Sequence, residues 1–176
     1  MTSNLVAVTV VGVDRPGIVA AVTRALYDLG CNLEDATSTI LRGHFSMMLV
    51  VRPPEELDAQ AVEASLMGAA EEMRLVVTAR SIDEGASGPP APTHMVSVYG
   101  ADRPGIVFQV TNLLAASGAN ITDLSSRLID SGPEPVYALM LEVAAPAGID
   151  LENALDELRA SLGVELSAHP IEADLL

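Results

Sequence analysis

The chain has 176 residues, 49% of them hydrophobic, and carries 24 Asp+Glu against 9 Lys+Arg, a formal charge of −15; all nine cations are arginine. A surface this acidic repels phosphate backbones and anionic lipid, and aromatics at 3% with no tryptophan leave little to stack bases on, which excludes direct nucleic-acid and membrane partners. The single cysteine, Cys31, excludes an internal disulfide or a cysteine-built zinc site; with no basic leader and no apolar run near the ~20 residues of a membrane helix, a cytoplasmic protein is expected.

Along the chain, Leu5 to Val11 is an apolar, β-branched run and predicts a strand. Ile18, Val22, Ala25 and Leu29 recur at the spacing of one helix face, with Gly30 as the stop. A strand from about Asn32 to Leu41 and a turn at Arg42-Gly43-His44 follow. Phe45, Met47, Leu49 and Val51 then alternate as a strand with one buried face. Val62, Leu66, Ala69 and Met73 mark a second helix, and Arg74 to Ile82 a closing strand. Residues 84–93 are rich in Gly, Ser and Pro and read as a linker.

The same order then repeats. Met95 to Tyr99 is a strand; Ile106, Val110 and Leu113 mark a helix that stops at Gly118. Tyr137, Leu139, Leu141 and Val143 alternate, after four extra residues in the hairpin around Asp130–Pro135. Leu151, Leu155, Leu158 and Leu162 form a helix face between an Asp150 N-cap and Gly163, and Val164 to Ile171 is the last strand. The repetition extends to identity. At an offset of 88, residues 12–39 match residues 100–127 at 14 of 28 positions without a gap, including Asp-Arg-Pro-Gly-Ile-Val at 14–19 and 102–107. Two copies of one unit are therefore expected, residues 1–83 and 94–176. Each is of the α+β class, a βαββαβ ferredoxin-like domain with a four-stranded antiparallel sheet and both helices on one face.

This fold hosts several chemistries, and the first loop discriminates among them. Copper-carrying modules place a C-x-x-C there; this chain has Asp14-Arg15-Pro16-Gly17. RNA-recognition modules display aromatics on the central strands, where this chain has Val, Ala, Met and Ser. An acylphosphatase-like hydrolase would use Arg15 or Arg103, but the glycine-rich phosphate cradle is missing. Asp-Arg-Pro-Gly-Ile-Val, followed thirteen residues after its glycine by a Gly-x-Asn-Leu/Ile motif, resembles the ACT domain, in both copies and over nearly the whole chain. Two such units and little else is similar to the layout of the glycine cleavage system transcriptional repressor family.

That resemblance implies a non-enzymatic regulator that binds a small amino acid, glycine or serine first among them, and acts through a regulatory protein partner. It implies ligands held where two domains pack side by side, Asp14 working with Asn120 and Asp102 with Asn32. A continuous eight-stranded sheet with two pseudo-equivalent sites would result, and exposed sheet edges would allow a homodimer.

The loop residues suit a zwitterion. Gly17 and Gly105 permit close approach to the backbone, and free N–H groups at a helix start favour a carboxylate. Asp14 and Asp102 attract an ammonium, and Asn32 and Asn120 offer donor and acceptor together. Pro16 and Pro104 are expected at the first helical position. Arg15 and Arg103 are counted with these glycines, aspartates and asparagines as ligand-binding residues. Each residue also has a structural reading: Asp14 and Asp102 as helix caps, Asn32 and Asn120 as tolerant turn residues, Arg15 and Arg103 as solvated side chains. Cys31, aligned with Ala119, is expected to be a small buried residue. His44, His94 and His169 share neither repeat position nor metal spacing, so no cofactor or metal is expected. Gly12 and Gly100 stand where some amino-acid-binding members of the resembled family carry a polar side chain. Phe108 in place of Ala20 predicts that the two copies differ in pocket volume.

Overall fold

The computed structural model describes residues 4–83, 90–129 and 135–171. The chain divides into two compact units, Met1–Ala86 and Ser87–Leu176. The first contains β1 (Leu5–Val13), α1 (Ile18–Asp28), β2 (Asn32–Leu41), β3 (His44–Arg52), α2 (Ala59–Met73) and β4 (Leu75–Ile82). The second contains β5 (His94–Ala101), α3 (Ile106–Ala116), β6 (Asn120–Ile129), β7 (Val136–Ala144), α4 (Leu151–Leu162) and β8 (Glu165–Pro170). Each set forms a four-stranded antiparallel sheet, ordered β2-β3-β1-β4 and β6-β7-β5-β8. This is the tandem ferredoxin-like architecture that the sequence periodicities predict.

The cores follow the alternation. Val6, Val8 and Val10 of β1 and Met47, Leu49 and Val51 of β3 face the helices and are buried. From the helix side come Ile18, Val22 and Leu26 of α1 and Val62, Leu66 and Ala70 of α2. Their spacing is i, i+4, i+8. The i+7 positions named from sequence, Ala25 and Ala69, lie at the margin of the buried stripe, because a helix turns ~100° per residue and only its centre is sealed. The second unit repeats this with Ile106, Val110 and Leu114 on α3; Leu113 is only partly buried. Met48, next to buried Met47, is 51% exposed on the opposite face of the sheet.

The helix starts differ from expectation. Pro16 and Pro104 are not the first helical residues. Gly17 is the N-cap of α1 at φ 96°, ψ −10°, and Gly105 caps α3 at φ 95°, ψ −7°. Pro then Gly in a left-handed conformation is the central pair of a type II turn, which delays the helix by two residues. Asp14 and Asp102 are not caps either, because no side chain caps α1 or α3. The second helices do have aspartate caps: Asp58 accepts from the Ala61 amide and Asp150 from the Asn153 amide. Arg74, expected in a strand, is instead the left-handed C-cap of α2 at φ 53°.

The two edges of each sheet are treated differently. On β4 the outward Ala79 amide donates to the Glu63 carboxylate of α2 at 2.8 Å, and on β8 the Ala168 amide donates to Glu152 of α4 at 2.6 Å. A helix carboxylate thus occupies an otherwise free edge donor at the same place in both units. The other edges, β2 and β6, are almost wholly exposed. Each has a register shift near its start, between Leu33 and Asp35 and between Ile121 and Asp123.

The linker expected at 84–93 lies mostly outside the described residues. Thr93, at its end, is tied into the second unit: its amide donates to the Val143 carbonyl at 2.8 Å and its carbonyl accepts from the Ile171 amide at 2.8 Å. The extra hairpin residues, Asp130 to Glu134, also lie outside the described residues.

Candidate functional site

The strand–helix loop of the first unit is fixed by a backbone contact. The Asp14 amide donates to the Gly43 carbonyl at 2.8 Å, which ties the loop to the β2–β3 turn. The next residue reaches across the unit: Arg15 Nη2 donates to the Glu72 carbonyl in the last turn of α2 at 3.1 Å. Arg103 Nη1 repeats this toward the Leu162 carbonyl of α4 at 3.5 Å. Both arginines place positive charge on a helix C-terminus with free carbonyls, a favourable arrangement. They are therefore not simply solvated, and each guanidinium keeps further donors beyond this one bond. The paired offsets were visible in sequence, but nothing in the spacing identified the acceptors.

These contacts leave the loop's front free. Asp14 and Asp102 are exposed, and their carboxylates have no hydrogen bond or ion pair among the described residues. The first backbone N–H groups of α1 and α3 have no side-chain cap. A carboxylate beside uncapped helix donors presents both signs of charge at close quarters.

The two asparagines lie at the other end of each sheet. Asn32 pairs with Arg52 at the start of β2, whereas Val13, just before Asp14, pairs with His44 beside the far end of β2. Strand geometry puts roughly 30 Å between the ends of β2. Within one unit, therefore, the loop aspartate and the asparagine do not come together. A single unit cannot grip one small ligand with both.

The asparagines also differ from each other. Asn32 Nδ2 donates to Glu34 Oε1 at 3.1 Å, and Glu34 accepts from Arg52 Nε at 3.0 Å. The Arg52 guanidinium foremost, then the Asn32 amide, holds the Glu34 carboxyl below its usual range. In the second unit Thr122 stands at the Glu34 position and Ala144 faces Asn120 across the strand pair. The Asn120 side chain has no hydrogen bond among the described residues.

Gly12 and Gly100 have a packing explanation. A Cβ on Gly12 would lie 2.6 Å from Leu75 Cδ2, and one on Gly100 would lie 2.7 Å from Val164 Cγ1. The start of the last strand occupies the space that a polar side chain would need. Cys31 is half-buried against the core, and desolvation pushes its thiol pKa up, the opposite of an activated nucleophile. No cluster of three metal-ligating side chains occurs among the described residues. No helix among them is long and apolar enough to cross a membrane.

Residues 4–80 match the ACT domain, and residues 94–163 match it a second time. The chain belongs to the ACT-domain family. A glycine cleavage system transcriptional repressor from Escherichia coli (strain K12) is 27% identical over 169 residues, which cover 95% of this chain and 88% of that one. A UPF0237 protein of Methanopyrus kandleri is 36% identical over 77 residues, 43% of this chain and 86% of its own length, about one unit. The crystal structure of an unknown protein from Galdieria sulphuraria superposes with a TM-score of 0.78 at 26% identity, covering 96% of this chain and 98% of that one. Through its two ACT domains the chain is thus related, along nearly all of the sequence, to a protein named as a repressor.

Proposed function

We propose that the protein is a non-enzymatic, cytoplasmic regulator that senses a small amino acid and passes the signal to a partner protein. Glycine and serine are the first candidates, because the relative that matches nearly the full chain is named for glycine cleavage. The reading rests on one observation above the others. Both units pair an exposed aspartate with an uncapped helix start at a left-handed glycine, Asp14 with Gly17 and Asp102 with Gly105. The carboxylate of an amino acid suits the helix donors and its ammonium suits the aspartate. The asparagine must then come from another unit: Asn120 for the Asp14 loop, Asn32 for the Asp102 loop. Arg15 and Arg103 hold the loops in position, and Gly17 and Gly105 keep the backbone accessible.

The test is a thermal-shift screen of the twenty amino acids, backed by calorimetry on any hit. Binding to the folded state raises stability by RT ln(1+[L]/Kd). A flat response at millimolar ligand sinks the sensor reading.

A second reading, an assembly module whose ACT surfaces serve pairing without ligand, is favoured by the edge pattern: β2 and β6 are open, whereas β4 and β8 carry a helix carboxylate. Asn32→Ala and Asn120→Ala variants that change oligomer size but leave ligand response intact would support it. An acylphosphatase-like hydrolase is disfavoured by the engagement of Arg15 with a helix carbonyl. Acetyl phosphate hydrolysis that vanishes in Arg15→Ala would revive it.

A further inference from the structure

We propose that the groove between α3 and α4 is the docking site for a basic amphipathic helix of another protein. The inference rests on the reading that this chain acts through a partner, and it gives that partner a place and a chemistry.

Helix α3, Ile-Val-Phe-Gln-Val-Thr-Asn-Leu-Leu-Ala-Ala, contains no charged residue, although one side of it faces solvent. Phe108 is 69% exposed on that side, with exposed Gln109 and Asn112 beside it. With Leu113, and with Ala154 and Leu158 of α4, these residues line a groove of about 450 Å³. An exposed phenylalanine over an uncharged helix face matches the composition of an interface centre, enriched in aromatics and depleted of charge.

The first unit is an internal control, because the same fold has the same groove there, about 500 Å³ between α1 and α2. Its walls are charged and small: Arg24 and Asp28 form an ion pair at 2.8 Å, and Ala21, Ala25 and Ala69 lie around it. In the second unit both members of that pair are replaced together, by Asn112 and Ala116, and Ala20 becomes Phe108. The fold tolerates a solvated, charged groove, so fold alone does not explain the uncharged one.

Charge selects the occupant. The second unit, Ser87–Leu176, holds twelve carboxylates against three arginines. A second copy brought to the groove would set acidic surface against acidic surface, whereas a helix with lysine or arginine outside its apolar stripe is attracted. A groove walled by two helices accepts a third through residues at i, i+3, i+4 and i+7, with an aromatic anchor at its centre. Phe108 is that anchor; Gln109 and Asn112 supply hydrogen bonds that need no charge.

The probe is a labelled helical peptide of about five turns, with leucines on one face and lysines on the other, titrated with the full chain by fluorescence anisotropy. A peptide with glutamates in place of the lysines is the comparison. Wild type is expected to bind the lysine peptide and not the glutamate one. Phe108→Ala is expected to weaken binding by about tenfold. Asn112→Arg combined with Ala116→Asp, neutral in sum and a copy of the pair already carried by α1, is expected to remove it. The reciprocal Arg24→Asn with Asp28→Ala is expected to leave it unchanged. Equal binding by every variant would reduce the interaction to diffuse charge, and no binding would end the proposal. Sedimentation showing a wild-type dimer that Phe108→Ala dissociates would make a second copy the occupant and overturn it. The amino-acid melting response is measured on the same variants. If it persists while the peptide result fails, the sensor reading survives without this groove.

Discussion

At the scale of single residues, the two repeats are similar enough for one to serve as the control for the other. Gly12 and Gly100 both lie close to the last strand, but their neighbours differ in stiffness. A Cβ on Gly12 would meet the tip of Leu75 at 2.6 Å and the Arg74 carbonyl at 3.3 Å, whereas one on Gly100 would meet Val164 at Cγ1, Cβ and Cα, from 2.7 to 3.3 Å. Gly100→Ala is therefore expected to destabilise by about 1–3 kcal/mol, and Gly12→Ala by less, because a leucine tip can rotate away; urea melts of the two variants decide this. The asparagines offer a second contrast. A ligand using the Asn32 amide nitrogen competes with its bond to Glu34, whereas Asn120 has no such bond among the described residues. Asn120→Ala is therefore expected to lower the calorimetric affinity more than Asn32→Ala; the reverse order would show that the Glu34 bond does not compete with the ligand. The sequence made Asp14, Arg15, Asn32 and their counterparts conspicuous, because identity at a fixed offset needs no geometry to be seen. It did not show that Arg15 turns inward to a helix end, since the carbonyl it meets, Glu72, lies 57 residues away and has no side-chain signature.

At the scale of elements, alternation and helical spacing made the strands and helix faces legible, because burial on one face is what those periods record. Helix starts were less so. Proline suggests a first helical turn, but Pro-Gly together stabilise a type II turn, and that competing preference won at Gly17 and Gly105. The caps of the edge strands were invisible, because Glu63 and Glu152 read as ordinary solvated helix residues. Glu152 has a testable pH signature. The Ala168 amide first, and Arg159 after it, lower its pKa. The folded pKa lies below the unfolded one, so this contribution is complete above about pH 4.3 and fades as pH falls through the depressed folded value. Glu152 is 47% exposed, which keeps the charge-dependent part under about 1 kcal/mol. The melting temperature of Glu152→Gln is expected to lie below that of wild type at pH 7, the two converging below pH ~4. A constant gap at every pH would mean the carboxylate's charge is irrelevant.

At the scale of the whole chain, the duplication was the most legible feature, and it framed everything else. A ligand that bridges units is expected to stabilise both together, so saturating glycine or serine would sharpen a two-step thermal transition toward one. Differential scanning calorimetry with and without ligand reads this directly; two transitions shifted independently would argue against bridging. The capped strands carry a further consequence for assembly. With Glu63 and Glu152 satisfying an outer donor on β4 and β8, each sheet has one margin that resists extension and one, β2 or β6, that invites it. Two sheets that fuse through their inviting margins leave only resistant flanks outside. Lateral growth of that joined sheet then terminates after a single event, because both of its outer strands carry a helix carboxylate.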